Sequence, residues 1–115
     1  MKGYVVCVYK NITNEQKLKE YAFKARVAVE KYKGKFLIRG GRSTSNEGNK
    51  SPRKVVIEFP SYDEANNFYN SKEYQAAHSI LKGFADRQHQ TVEGAQYWIG
   101  SSSILRQRYQ VATEQ

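Results

Sequence analysis

The 115 residues carry 19 basic and 11 acidic side chains, a formal charge of +8, with 39% hydrophobic residues and nine Tyr, five Phe and one Trp. A chain of this length folds as one domain that buries about two-thirds of the surface it exposes unfolded, and its aromatic content excludes full disorder. No apolar run approaches the ~18 residues of a membrane helix.

The run Tyr4-Val5-Val6-Cys7-Val8-Tyr9 is too short for a secretory leader and predicts a strand buried on both faces. Cys7 has no second cysteine to pair with, so the expected location is a reducing cytoplasm. Thr13, with Gln16 three residues on, predicts a capping box that opens a helix. Leu18, Tyr21, Ala22, Ala25, Ala28, Val29 and Tyr32 give that helix one apolar stripe, and Gly34 is expected as the left-handed residue that closes it.

Phe36-Leu37-Ile38 predicts a second strand bent at Gly40-Gly41, followed by a polar turn from Ser43 to Ser51. Residues Lys54 to Phe59 predict a third, strongly apolar strand. Ser61 with Glu64 caps a helix burying Ala65, Phe68 and Tyr69; Ser71 recaps the chain into a further stretch with Tyr74, Ala77, His78 and Leu81 on one face. Gly83 ends it, and Arg87 to Glu93 read as a short polar edge strand.

The order is β-α-β-β-α-β, the α+β arrangement called ferredoxin-like: an antiparallel four-stranded sheet with helices on one face. Both central strands are apolar on both faces, so the helix-free side needs a cover. A second copy of the sheet is the simplest one, and a homodimer through sheet faces is expected.

Residues Met1-Lys2-Gly3-Tyr4-Val5-Val6, Lys35-Phe36-Leu37-Ile38-Arg39-Gly40-Gly41, Val56-Ile57-Glu58-Phe59-Pro60-Ser61, Tyr69-Asn70-Ser71-Lys72-Glu73-Tyr74-Gln75 and Val92-Glu93-Gly94 together resemble the bacterial domain-of-unknown-function family thirteen-thirty. The resemblance implies the dimeric α+β barrel superfamily, which pairs sheet against sheet and includes cofactor-free monooxygenases, small isomerases, haem-degrading enzymes and ligand-sensing domains. It divides the chain into a barrel domain, residues 1–94, and an extension, residues 95–115. Two positions depart from the family pattern: the turn after the paired glycines holds Asn49-Lys50-Ser51, and the end of the second helical stretch holds Leu81-Lys82.

Candidate ligand-binding residues follow from chemistry. Glu58 in a central strand is costly unless paired, and the hairpin turn brings Arg39 near it; the two are expected either to line a cleft, Arg39 orienting a carboxylate or enolate while Glu58 moves a proton, or to form a structural ion pair. Tyr69 and His78 complete the set. His78 alone reads equally as a hydrogen-bonded, half-buried side chain, and His89 as solvated or at an interface. No metal-ligand spacing exists, no cofactor is implied, and Cys7 should be an inert buried thiol.

The basic residues form no block of like charge; Lys31 to Lys54 is the densest stretch and the expected anion-binding surface. An RNA-recognition motif shares the element order, but the third strand lacks its stacking aromatics, which disfavours nucleic acid as partner. In the extension, Tyr97, Trp98, Ile99, Leu105, Tyr109 and Val111 predict a β-hairpin or arm on the partner subunit. The expected function is a small-molecule-binding protein or cofactor-independent enzyme acting on a modest organic molecule. The alternative is a non-catalytic dimeric binding or assembly module.

Overall fold

A computed structural model describes residues 1–95, so the expected C-terminal arm lies outside the described residues. The elements are β1 (Gly3–Ile12), α1 (Glu15–Lys31), β2 (Lys35–Arg39), β3 (Lys54–Phe59), α2 (Tyr62–Asn70), α3 (Lys72–Leu81) and β4 (Ala85–Glu93). They form one antiparallel sheet of order β2-β3-β1-β4, with the two apolar strands at its centre. This is the ferredoxin-like α+β fold read from the sequence.

The alternation of β1 and β3 sorts their side chains. Val5, Cys7 and Tyr9, with Val55, Ile57 and Phe59, are buried under the helices, whereas Tyr4, Val6, Val8 and Val56 are only half-covered on the opposite, open face. α1 lays Leu18, Tyr21, Ala25, Ala28 and Val29 on the sheet side and packs along α3. Phe68 of α2 is fully buried, its ring 4.9 Å from Phe59 and 4.7 Å from Tyr74, where truncation to alanine would cost about 3–5 kcal/mol.

Three local expectations are corrected. Asn14, not Thr13, caps α1: its side chain accepts from the Lys17 amide, while the Thr13 hydroxyl donates to the Phe84 carbonyl and ties the start of α1 to the approach of β4. The left-handed residue after α1 is Lys33 (φ 63°), not Gly34. The amides of Lys33 and Gly34 donate to the carbonyls of Glu30 and Val29, a Schellman closure, and Gly34 is required because a Cβ there would lie 2.7 Å from the Phe59 ring. Gly40 and Gly41 do not bend β2. They follow its end, both at positive φ, and the irregularity in β2 falls between Phe36 and Ile38.

That irregularity decides which way Arg39 faces. Phe36 stands opposite Ile57, but Ile38 stands opposite Val56, so Leu37 is an extra residue and everything after it changes face. β4 also starts earlier than expected, at Ala85. Its Arg87 and His89 lie opposite Tyr9 and Cys7, on the helix side of the sheet.

Candidate functional site

A polar centre sits between β4 and the two long helices. Arg87 reaches inward from the edge strand: Nη1 donates to the hydroxyls of Tyr9 (3.2 Å) and Tyr21 (3.0 Å), and Nη2 to that of Tyr74 (2.8 Å). Nη1 also lies 3.5 Å from the Cys7 sulfur. The hydroxyls of Tyr21 and Tyr74 are themselves hydrogen-bonded at 2.9 Å. Among the described residues no carboxylate lies within 4 Å of Arg87, so its charge is held by phenols alone.

This arrangement shifts its neighbours. Burial opposes the charge on Arg87, but the oxygens of Tyr21, Tyr74 and Tyr9 outweigh it and hold the guanidinium more firmly protonated. Burial raises the pKa of Tyr74 and Tyr21 and pushes Tyr9 up to about 12, so all three remain neutral phenols. Burial likewise raises the Cys7 thiol against the pull of Arg87. His89 is pushed down to about 3, first by burial, then by Arg87 and His78; His78 is lowered by burial and then by Arg87 and Lys82. Near neutral pH both imidazoles are therefore uncharged.

Two cavities flank the centre and share Arg87 and His89 in their walls. One is a narrow, partly open cavity of about 30 Å³ under the sheet, large enough for roughly one water, bounded further by Val29, Ile57, Arg39 and Arg53. The buried Nε of Arg53 has no hydrogen-bond partner. The other is an open cleft of about 340 Å³ between β4 and α3, walled by Tyr69 and His78 with Lys82 at its rim. Aromatic packing forms this wall: the Tyr69 ring lies 5.1 Å from His89 and 6.5 Å from His78, tilted 47° to each, and the Tyr74 and His78 rings are nearly parallel at 6.0 Å.

Of the four candidates named from sequence, Tyr69 and His78 meet in this cleft. Arg39 and Glu58 do not meet. Arg39 lies opposite Val55 with its guanidinium 4.3 Å from the Phe36 ring, on the helix side. Glu58 is on the open face opposite Tyr4 and Lys35, accepting from the Tyr4 hydroxyl at 3.1 Å. The extra residue at Leu37 is the physical reason. His89, expected to be solvated or at an interface, is turned to the helix side by its register with Cys7. Arg87, Tyr21, Tyr74 and His89 were missed. The available signal was two tyrosines on the inward stripes of separate helices, whose hydroxyls need partners once buried.

Among the described residues no group of three or more His, Cys, Asp or Glu is placed to hold a metal ion, and no helix is long and apolar enough to cross a membrane.

Residues 2–95 match the family model described as Domain of unknown function (DUF1330). No curated protein matches the chain at a significant level. A protein of unknown function from Rhodopseudomonas palustris superposes with a TM-score of 0.69 at 11% identity, over 83% of each chain. A dimeric ferredoxin-like protein of unknown function from Jannaschia sp. gives 0.60 at 11%, over 82% of this chain and all of the other. SnoaB, a cofactor-independent oxygenase from Streptomyces nogalater, gives 0.54 at 9%, over 86% of this chain and 97% of its own. At such identities the likeness establishes the fold alone.

Proposed function

The chain belongs to the DUF1330 family, and on that footing we propose that it binds a small organic molecule in the cleft between β4 and α3, with Arg87 as the anchoring charge. The observation that carries this reading is the half-buried guanidinium held by three phenols, with no carboxylate among the described residues within 4 Å although the exposed Asp86 lines the same cleft. A structural arginine is ordinarily neutralised by an acid, because an unpaired buried charge is costly. One held open beside a cleft of ligand size is a binding group awaiting a negative or strongly polar partner.

A cofactor-independent enzyme is the second reading, favoured by the uncharged imidazole of His78 on the same cleft, since His89 at about 3 is too weak a base. A neutral histidine can take a proton while a fixed guanidinium stabilises the negative charge left behind.

Self-association completes the proposal. The open face leaves Val92 44% and Ile38 48% exposed beside half-covered Tyr4, Val6 and Val56, an apolar strip suited to a second sheet. The Jannaschia protein, described as dimeric, supports self-association. A single cysteine, buried as a thiol, fits a cytoplasmic setting.

The test is a thermal-shift screen of small organic molecules spanning charge and shape, run on the wild type and on Arg87→Met. Ligands that raise Tm only in the wild type support the site. A screen in which nothing raises Tm leaves the assembly-module alternative, and hits that all survive the substitution would place binding away from Arg87.

A further inference from the structure

The guanidinium of Arg87 has two forks, and the protein occupies one. The hydroxyls of Tyr21 and Tyr74, 2.9 Å apart, take Nη1 and Nη2 much as the two oxygens of a carboxylate would. Nη1 is further engaged by Tyr9 and Cys7. Nε has no protein partner among the described residues, so the fork formed by Nε and the second Nη2 proton remains unused.

We propose that the cleft takes a planar organic monocarboxylate, its carboxylate on the Nε–Nη2 edge of Arg87 and its plane against the ring of Tyr69. This rests on the reading of the cleft as a small-molecule site and adds the ligand's class.

A planar, two-oxygen acceptor matches that edge in a way a tetrahedral anion or a single carbonyl does not. One negative charge suffices: of the charged residues lining the cleft only Arg87 is half-buried, whereas Lys82 and the Asp86 carboxylate are both exposed, opposite in sign and screened by solvent. The walls are aromatic. Tyr69 stands within 6.5 Å of both imidazoles, and rings of this kind favour a flat, conjugated body over a puckered one.

The test uses four probes on the wild-type protein: benzoate, benzamide, cyclohexanecarboxylate and inorganic phosphate. Binding is read by Tm and by the imidazole NMR signals of His78 and His89. Benzoate is expected to bind saturably, with benzamide at least ~10-fold weaker for want of the charged fork. Cyclohexanecarboxylate should be about threefold to tenfold weaker for want of a flat face, an advantage that Tyr69→Leu erases. Arg87→Lys, which keeps the charge but not the fork, should weaken benzoate by at least ~10-fold. Benzamide, cyclohexanecarboxylate or phosphate binding as well as benzoate overturns the assignment. If none of the four binds while screened ligands of another class still act through Arg87, the ligand class falls and the cleft stands. If no ligand acts through Arg87, both fall.

Discussion

Tyr21 of α1 and Tyr74 of α3 join their hydroxyls at 2.9 Å, and both accept from the same guanidinium, that of Arg87. The two long helices are thus fastened to each other and to the edge strand through one polar knot in an otherwise apolar layer. Such a knot is cooperative, since each hydroxyl orients the other toward the cation. Tyr74→Phe should destabilise the fold by about 1.5–3 kcal/mol, the cost of removing an acceptor from a charged donor. Tyr21→Phe should cost a similar amount, and the double variant should fall short of their sum by more than ~0.5 kcal/mol. Urea unfolding of the three variants measures this; strict additivity would mean that the hydroxyls act independently.

Arg87 itself should behave differently. Its removal takes away a cation that the phenols compensate; Tyr21 and Tyr74 can still bond each other, while the buried Tyr9 hydroxyl loses its one partner among the described residues. Arg87→Met, which fills the space with a flexible apolar chain, is expected to fold with a loss of only about 1–2 kcal/mol while ligand-dependent stabilisation is lost. A loss of about 3–5 kcal/mol on this substitution, the cost typical of breaking a structural buried pair, would assign Arg87 to the scaffold instead.

The fold was legible because β1 and β3 combine strand length with unbroken β-branched and aromatic composition, and because Ser61 and Ser71 cap their helices as their spacing indicates. The site was only half legible. On β4 the inward residues Arg87, His89 and Thr91 are as polar as the outward Gln88 and Gln90, so period-two alternation carries no sign of which face is buried. Arg39 was misplaced for another reason. An extra residue in a strand leaves no mark in composition, yet the one at Leu37 moves Arg39 to the other side of the sheet from Glu58.

The two histidines set an acid limit. In the folded protein their pKa values lie below the ordinary 6.5, that of His89 at about 3, so between those values the unfolded chain binds more protons. Stability is therefore full above pH 6.5 and falls as pH drops toward 3, at up to about 1.4 kcal/mol per pH unit for His89, with a smaller contribution in the same direction from the more exposed His78. Urea midpoints taken from pH 7.5 to 4 should show this decline, and His89→Gln should flatten it. An unchanged slope in that variant would place the acid sensitivity elsewhere.

Lys33 offers a stabilising change. It sits in the left-handed region at φ 63°, which costs a non-glycine residue about 1–2 kcal/mol, and glycine removes that strain while adding entropy to the unfolded chain. The two effects leave a net gain of about 0.5–1 kcal/mol for Lys33→Gly, with the Schellman bonds to Glu30 and Val29 unchanged. Thermal unfolding should show a Tm higher by a few degrees. A fall would mean that the lysine side chain contributes a contact outweighing the strain.

The open face provides the last prediction. Val6 lies opposite Val56 on one side and Gln90 on the other, at the middle of the sheet and on the side that no helix covers. If two such faces meet, a lysine at position 6 places like charges from the two copies close together in a region emptied of water, where repulsion and desolvation both act against pairing. If the face is solvated, the same lysine reaches water at little cost. Val6→Lys should therefore convert a dimer into a monomer at micromolar concentration in sedimentation equilibrium. Val5→Lys makes the contrast, since Val5 is fully buried under the helices and its replacement should unfold the protomer instead of separating two folded ones. A wild-type protein that sediments as a monomer would remove the sheet-to-sheet assembly. The cleft between β4 and α3 would remain, since every wall residue named for it comes from one chain.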